Sequence, residues 1–235
     1  MTVHALASSS VSDRMGRMYR PQKLIYDLTR KPYLLGRDQL IEEMGARPGE
    51  AVLEIGCGTA RNLRRIARRW PGTRLCGLDA ALPMLEIARG RMAPLARAHR
   101  LRLEHGTVES LEPQTFGEGG FDHVVFSYVL SMVDSPSLAL LRALAVMRPG
   151  GVLHVVDFGA MDRLPRWFAG GMRLWLDRFG VEHRPSVARL LGHLAQRGDG
   201  RLARRTIAGG YAELLRFQKG PHAASPLPPA APLRV

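Results

Sequence analysis

The stretch Val52-Leu-Glu-Ile-Gly-Cys-Gly-Thr-Ala-Arg61 decides the fold class. An apolar strand predicted over Ala51–Ile55 runs into a glycine turn and then into an arginine-rich helix predicted over Thr59–Trp70. Gly56 and Gly58 lack Cβ atoms, so the backbone can turn sharply and a ligand can lie against it. Open α/β sheets bind their ligands at such a strand-to-helix turn. The stretch therefore predicts both a fold class and a site.

The pattern of strand followed by helix continues outward from this turn. Further strands are predicted over 73–78, 101–105, 121–127 and 152–158, and further helices over 83–98 and 135–147. Strands that alternate with helices of this length predict an α/β fold with a doubly wound, mostly parallel sheet covered on both faces.

Composition limits the class of protein. Of the 235 residues 46% are hydrophobic, which is ordinary for a globular domain, but the formal net charge is +13. Residues 160–219 hold 12 basic and 5 acidic side chains, so this segment is the basic one. Such a charge attracts nucleic acid, acidic metabolites or an anionic membrane, although compositional drift toward arginine explains it as well. Without a spanning apolar run or a signal-peptide pattern, we expect a cytoplasmic protein, either soluble or peripheral on the inner face of the membrane.

Metal and disulfide chemistry are not expected. The two cysteines, Cys57 and Cys76, fall in segments assigned to the sheet or its first loop and are predicted to be small buried side chains. The eight histidines show no spacing typical of metal ligands. We therefore predict that the protein uses no metal.

A nicotinamide dinucleotide site is the alternative interpretation of the glycine turn. That site needs a third glycine, and Arg61 stands in its place. Glu54 fits poorly beside a pyrophosphate but well beside a cationic amino-acid group. Asp79, 25 residues later, can accept hydrogen bonds from both hydroxyls of a ribose in either kind of site, or it can cap the helix that follows.

Four motifs in order resemble class I S-adenosylmethionine-dependent methyltransferases. They are Glu54-Ile-Gly-Cys-Gly-Thr59, Gly77-Leu-Asp79 with Met84 five residues on, Phe121-Asp122, and Arg148-Pro-Gly-Gly151. The resemblance covers roughly residues 50–158 and implies a seven-stranded Rossmann-like sheet, S-adenosylmethionine as cofactor and S-adenosylhomocysteine as product.

The resemblance also implies roles for individual residues. Glu54, Gly56, Cys57 and Gly58 are expected to hold the methionine part of the cofactor, Asp79 its ribose, and Ala80, Met84, Thr107 and Val108 its adenine. Thr107 stands where the family usually has Asp. Ser127 and Tyr128 are expected to face the transferable methyl group.

The segment that precedes the sheet is similar to the entry segment of bacterial betaine-lipid N-methyltransferases. The closest parts are Tyr26-Asp-Leu-Thr-Arg30 and Leu34-Leu-Gly-Arg-Asp38. We predict a helical lid over 12–48, with Arg37 toward a carboxylate and Tyr26 and Tyr33 against a developing ammonium, together with Tyr128. A packing helix without such a role is the alternative. Residues 1–11 and 221–235 are predicted to be disordered.

A second flanking segment, 163–179, shows apolar residues at helical spacing. Leu164, Trp167, Phe168, Gly171, Met172, Trp175, Leu176 and Phe179 form one stripe, and Arg163, Arg166 and Arg173 fall opposite. Such a helix within a basic insert at about 160–200 is typical of one that lies on an anionic membrane, or of one that docks on the sheet.

Together these features predict an S-adenosylmethionine-dependent N-methyltransferase within residues 49–220. The expected acceptor is the amine of a polar lipid, diacylglyceryl-homoserine, attacked in line without a covalent enzyme intermediate. Phosphatidylethanolamine, a quinone or another small molecule are alternative acceptors. An RNA methyltransferase and a nicotinamide-dependent oxidoreductase are less favoured, since the first needs aromatic residues between its basic ones. The sequence leaves the oligomeric state open.

Overall fold

The computed structural model describes residues 34–98, 100–117 and 119–221. The strands are β1 (Ala51–Ile55), β2 (Arg74–Asp79), β3 (Leu101–His105), β4 (Phe121–Ser127), β5 (Met147–Phe158), β6 (Gly200–Ile207) and β7 (Ala212–Lys219). The helices are α1 (Arg37–Glu42), α2 (Arg61–Arg69), α3 (Leu82–Arg91), α4 (Ala93–Arg97), α5 (Pro136–Ala145), α6 (Arg166–Asp177) and α7 (Pro185–Gln196).

The strands form one seven-stranded sheet in the order β3-β2-β1-β4-β5-β7-β6. The first five are parallel, and β7 lies antiparallel between β5 and β6. The predicted α/β class with a mostly parallel seven-stranded sheet is therefore confirmed. Strands β2 and β3 are added on one side of β1, and β4 and β5 are added on its other side. This reversal opens a crevice at the carboxyl ends of β1 and β4, where such sheets bind ligands.

Apolar side chains fill both faces of the sheet, because parallel strands are covered on both sides. One core cluster joins the sheet to α1, α2, α3 and α6, and the other joins it to α5 and α7. In β1 all five residues are buried, including Glu54. The predicted small, buried roles of Cys57 and Cys76 agree with their burial as free thiols.

Several predicted boundaries need correction. The helix predicted over 83–98 is two helices, because the chain leaves helical geometry at Met92 before Pro94 begins α4. The helix predicted from Thr59 begins at Arg61, since Ala60 is left-handed with φ 59°. Strand β5 begins at Met147, five residues before the predicted start, with an irregular register against β4.

The flanking segments are described in part. The predicted basic insert at 160–200 lies between β5 and β6 and contains α6 and α7. The described part of the predicted helical lid over 12–48 starts at Leu34, so Tyr26, Tyr33 and residues 1–11 lie outside the described residues. Of the predicted tail over 221–235, only residue 221 is described. Among the residues that are described, no helix is long and apolar enough to cross a bilayer.

Candidate active site

The glycine turn after β1 closes against the end of β2. The backbone N–H groups of Gly56 and Cys57 both donate to the carbonyl of Leu78, at 2.7 and 3.1 Å. Gly56 and Gly58 have φ values of 71° and 52°, a left-handed conformation that glycine adopts without the steric cost of a Cβ atom. The turn therefore brings the start of α2 over the carboxyl edge of the sheet.

Asp79 at the end of β2 holds this turn from the other side. Its Oδ2 accepts from the N–H of Gly58 at 2.6 Å, and its Oδ1 accepts from the N–H of Ala81 at 2.8 Å. Burial raises the pKa of the Asp79 carboxyl, and the two N–H donors oppose that effect. Each oxygen keeps a second lone pair, so the carboxylate can accept further hydrogen bonds at this edge.

Glu54 in the middle of the site is a buried carboxyl group, with 2% of its surface exposed. Its Oε1 accepts from the Asn62 side-chain amide at 2.7 Å, while its Oε2 is buried without a hydrogen bond to any described residue. Burial raises its pKa to about 8, although Asn62 and Arg37 both favour the charged form. A buried, half-satisfied carboxyl of this kind is a candidate for binding a cation.

Arg37 on α1 lies near enough to Glu54 to favour its charged form, and the region between these two side chains is the recess of the site. Its Nε donates to the carbonyl of Leu34 at 3.3 Å, and its Nη2 is buried without a partner among the described residues. Burial and the neighbouring Arg61 lower the pKa of Arg37. The ion pair of Arg61 with Asp38, at 2.9 Å, ties α1 to the start of α2. The recess thus presents one unsatisfied carboxyl oxygen and one unsatisfied guanidinium nitrogen.

The remaining predicted cofactor residues line the neighbouring strand ends. Ala80 offers its carbonyl to Nε2 of His105 at 3.1 Å, Thr107 precedes a 3-10 turn that begins at buried Val108, and Ser127 has a buried hydroxyl without a partner among the described residues. Met84 lies on α3 and is buried.

Tyr128, which we expect to face the transferable methyl group, follows β4 directly. Its hydroxyl donates to the carbonyl of Leu35 at 2.6 Å, and burial raises its pKa well above the ordinary value. Its φ of 58° is unusual for a bulky residue, and such conformations concentrate at functional sites. The ring packs edge-on against Phe158, which in turn packs against Tyr211.

Sequence reasoning missed Phe158, Tyr211, Asp157 and Asn62. Asp157 is half-buried beside this aromatic group near the end of β5 and accepts from the N–H groups of Ser131 and Phe158, and desolvation raises its pKa to about 6. Only Asn62 carried a local signal, a polar residue in the first turn of the helix that follows Glu54. The described residues contain no cluster of three side chains placed to hold a metal ion.

Comparisons with known proteins indicate the family of the chain. Residues 53–153 match a family described as a methyltransferase domain. An uncharacterized methyltransferase of Mycobacterium tuberculosis is 31% identical over 141 residues, which are 57% of this chain and 67% of that protein. The chain therefore belongs to the methyltransferase family, and this membership implies S-adenosylmethionine as the methyl donor.

Other relatives differ in what they are named for. A demethylmenaquinone methyltransferase of Beutenbergia cavernae is 32% identical over 60% of this chain and 55% of its own length. A trans-aconitate 2-methyltransferase of Deinococcus radiodurans is 32% identical over 46% of this chain and 38% of its own. The matches span 32–55% of the length of the first three curated relatives.

The fold also matches solved structures. A Burkholderia thailandensis 1,6-didemethyltoxoflavin N1-methyltransferase with bound S-adenosylhomocysteine superimposes with a TM-score of 0.62 at 17% identity. The match covers 94% of this chain and 92% of that one, so the likeness extends beyond the sheet to the flanking helices.

Substitution of Gly56 tests the turn. A Cβ atom at Gly56 would lie 2.3 Å from Cγ2 of Val129, so Val129 rather than a ligand is the first obstacle. We expect Gly56→Ala to lower the free energy of unfolding by about 1–3 kcal/mol and to weaken cofactor binding. Urea unfolding and calorimetric titration with S-adenosylhomocysteine measure the two effects.

Gly58→Ala is the matched control, because its Cβ meets nothing within 4 Å although its φ is also positive. The double substitution Gly56→Ala with Val129→Ala should recover part of the lost stability. Equal losses for the Gly56 and Gly58 variants, with no recovery in the double variant, would contradict the contact with Val129.

Glu54→Gln tests the buried carboxyl. The folded-state pKa of Glu54, about 8, lies above its ordinary value of 4.5, so its contribution to stability is complete below pH 4.5 and is lost as the pH rises through 8. We expect the wild-type protein to lose stability between about pH 4.5 and 8, and Glu54→Gln to lose less while binding S-adenosylhomocysteine more weakly. Urea unfolding across this range provides the measurement.

The exposed Glu86→Gln variant on α3 controls for the general effect of removing a carboxylate. If Glu54→Gln and wild type lose stability in parallel from about pH 4.5 to 8, the raised pKa of Glu54 is wrong and so is the buried-carboxyl account.

Proposed function

We propose that the chain transfers a methyl group from S-adenosylmethionine to an amine, by direct in-line attack. The observation that carries the proposal is the pair of unsatisfied buried atoms at the glycine turn, Oε2 of Glu54 and Nη2 of Arg37. A carboxylate and a guanidinium that share one recess fit the ammonium and the carboxylate of an amino acid.

Other residues of the edge fit the rest of the cofactor. Asp79 ends β2 with lone pairs left for ribose hydroxyls, and its bonds to Gly58 and Ala81 fix the orientation of the carboxylate. We assign the adenine to the surface around Ala80 and Thr107. The remaining assigned contacts are Gly56, Cys57, Met84, Val108 and Ser127. When bound, S-adenosylmethionine supplies an electrophilic methyl group on a positively charged sulfur.

The protein's own contribution to the reaction is position and electrostatics. Holding two reactants in line removes up to roughly 7–11 kcal/mol of the barrier in well-oriented systems. The rings of Tyr128, Phe158 and Tyr211 form an aromatic group whose faces favour a cationic amine, by about 0.5–2 kcal/mol for each good contact. The hydrogen bond from the Tyr128 hydroxyl to the Leu35 carbonyl also holds the segment before α1 next to the site. Tyr26 and Tyr33 stay proposed contributors from the preceding segment.

The proposed acceptor is the amine of a polar lipid, diacylglyceryl-homoserine. Helix α6 supports this choice, because its buried side contacts the same core cluster as Tyr128 and Phe158. Phosphatidylethanolamine and quinones are alternative acceptors that would also come from a membrane. Among them, the relative named for demethylmenaquinone favours a quinone.

Helix α6 exposes large apolar side chains that a docking helix would bury. Ala169 and Leu176 face the core, whereas Trp167 and Leu174 are 79% and 70% exposed. Phe168, Trp175 and Phe179 continue this exposed apolar arc. The nearby basic side chains are Arg163, Arg166, Arg173 and Arg178. An apolar arc beside arginines has the chemistry of a surface that enters the headgroup layer of an anionic membrane, and we propose that occupant.

Methyl transfer from labelled S-adenosylmethionine to bacterial lipid extracts tests the acceptor. We expect label in a lipid with a methylated amine headgroup, and about tenfold or greater loss with Asp79→Asn, since the ribose contact is weakened. Asp134→Asn, exposed in the loop after β4, is the control.

Label in a quinone would keep methyl transfer and overturn the amine acceptor. Cofactor binding with no labelled lipid would overturn a lipid acceptor, and soluble acids, amines and RNA would follow as candidates. A melting temperature raised by NAD but not by S-adenosylhomocysteine would overturn the methyltransferase proposal itself.

Vesicle sedimentation tests the membrane surface. We expect Trp167→Ser with Leu174→Ser to weaken binding to vesicles rich in phosphatidylglycerol by tenfold or more, because two exposed apolar side chains are lost. Leu82→Ser is the control, because Leu82 is also an exposed leucine but lies on α3. Equal binding by wild type and the double variant would refute this surface.

A further inference from the structure

A cavity of about 270 Å³ lies between α1 and the sheet. Leu40 of α1 and Glu43, which follows this helix, form one wall, and the floor is formed by residues of β5, β7 and β6. His154 on the floor is in register with Val125 and, through it, with Glu54, so it lies two strands across the sheet from Glu54, about 10 Å away at about 4.8 Å per strand. No residue of the glycine turn lines the cavity, so the two places are neighbours on one face of the sheet.

The lining of this cavity is positively charged. Arg205 and Arg216 contribute two guanidinium groups, against the single carboxylate of Glu43. Arg205 makes two bonds to Glu43, at 2.9 and 2.7 Å. Arg204 projects from the other face of β6, where it pairs with Glu213. Arg216 is exposed and forms no ion pair with any residue that the structure describes, so no described carboxylate compensates its charge.

A chain of hydrogen bonds reaches the cavity from the opposite side. Oε2 of Glu50 lies 3.1 Å from Nε2 of His123, and Nδ1 of His123 lies 3.0 Å from Nε2 of His154. A carboxylate can only accept, so Nε2 of His123 donates to it and Nδ1 must accept from His154. By this assignment Nδ1 of His154 is the basic nitrogen. No hydrogen bond joins it to a described residue, and His154 is 3% exposed.

The charges around His154 keep it neutral in the absence of an anion. Burial, His123 and Arg216 each lower its pKa, which is well below the ordinary value. For His123, burial lowers the pKa while Glu50 and Asp122 raise it. The charged groups that face the pair are Glu50 and Asp122 beside His123, Arg216 on β7, Arg205 on β6, and Glu43 directly after α1.

We propose that this cavity is a second site, for a small phosphate-bearing ligand, and that such an oxyanion binds together with a proton on His154. The guanidinium of Arg216 supplies the fixed charge. A dianion between Arg216 and His154 offsets the repulsion between them, so Nδ1 takes up a proton and becomes a donor to the ligand. The cavity has room for several waters at about 30 Å³ each, and thus for a phosphate group with a small substituent.

Calorimetric titration of the full chain with inorganic phosphate, at constant ionic strength set with chloride, tests the site. We expect saturable binding that is about tenfold weaker in Arg216→Gln, because the uncompensated cation is removed. Arg201→Gln on β6 is the matched control, since it removes the same charge outside the cavity. Equal phosphate affinity for wild type and Arg216→Gln, or no saturable binding by wild type, would overturn the proposal.

Sulfate tests the coupling to His154, because it stays a dianion from pH 8 to 6 while phosphate titrates. We expect sulfate to bind wild type about fivefold or more tightly at pH 6 than at pH 8, and His154→Gln to abolish this difference. A pH-independent sulfate affinity in wild type would overturn the coupling. Affinity for S-adenosylhomocysteine should be unchanged in Arg216→Gln, which separates this site from the proposed function.

Glycerol 3-phosphate, compared with inorganic phosphate in the same titrations, distinguishes a phosphomonoester from the free ion. Tighter binding of the ester supports a phosphorylated metabolite, because the apolar part of the lining then contacts its carbon chain. If neither anion binds to protein that circular dichroism shows to be folded, the proposal is overturned.

Discussion

Two N–H groups that share one carbonyl set the geometry of the whole site. Because Gly56 and Cys57 both bond to Leu78, the chain leaves β1 across the end of β2 rather than straight on. This places Asp79 within 2.6 Å of Gly58 and starts α2 directly above the carboxyl edge. Without that turn Glu54 would be one more residue of a buried strand. With it, one of its oxygens is left buried near Arg37, without a hydrogen bond to any described residue.

The recess concentrates features that disfavour folding. A carboxyl group in the core strand, a guanidinium nitrogen without a bond among the described residues, and a left-handed tyrosine all cost stability. The apolar clusters on both faces of the sheet offset these costs. Strain at such a place is expected when the groups that cause it are kept for a ligand. Two strands across the sheet from Glu54 lies a second such group, where buried His154 meets Arg216, which has no ion pair with a described residue.

The glycine turn, Glu54 and Asp79 could be predicted from sequence because each depends on local geometry. A strand of apolar residues, two glycines and a carboxylate at the next strand end are all close in the chain. The break at Met92 was missed because apolar residues at helical spacing continue past it, whereas the helical backbone geometry ends there. The obstacle at Gly56 is Val129, which no local pattern reveals, because it comes from the loop after β4.

Contacts made by antiparallel pairing could not be predicted. Tyr211 reaches Phe158 because β7 inserts between β5 and β6, and the sequence places β7 last in the chain. The same insertion brings Arg216 beside His154. For α6 the period of apolar residues was sufficient to predict a helix, but not its orientation. Only a narrow side faces the core, so Trp167 lies exposed.

The most direct test compares two ligands that differ only in the amino-acid end. Calorimetric titration should show that S-adenosylhomocysteine binds at least about a hundredfold more tightly than 5′-methylthioadenosine, which lacks the ammonium and the carboxylate. Most of that difference should disappear in Glu54→Gln. Equal affinity of the wild-type protein for the two ligands would show that Glu54 and Arg37 do not hold the amino-acid group, and the account of this site would be wrong.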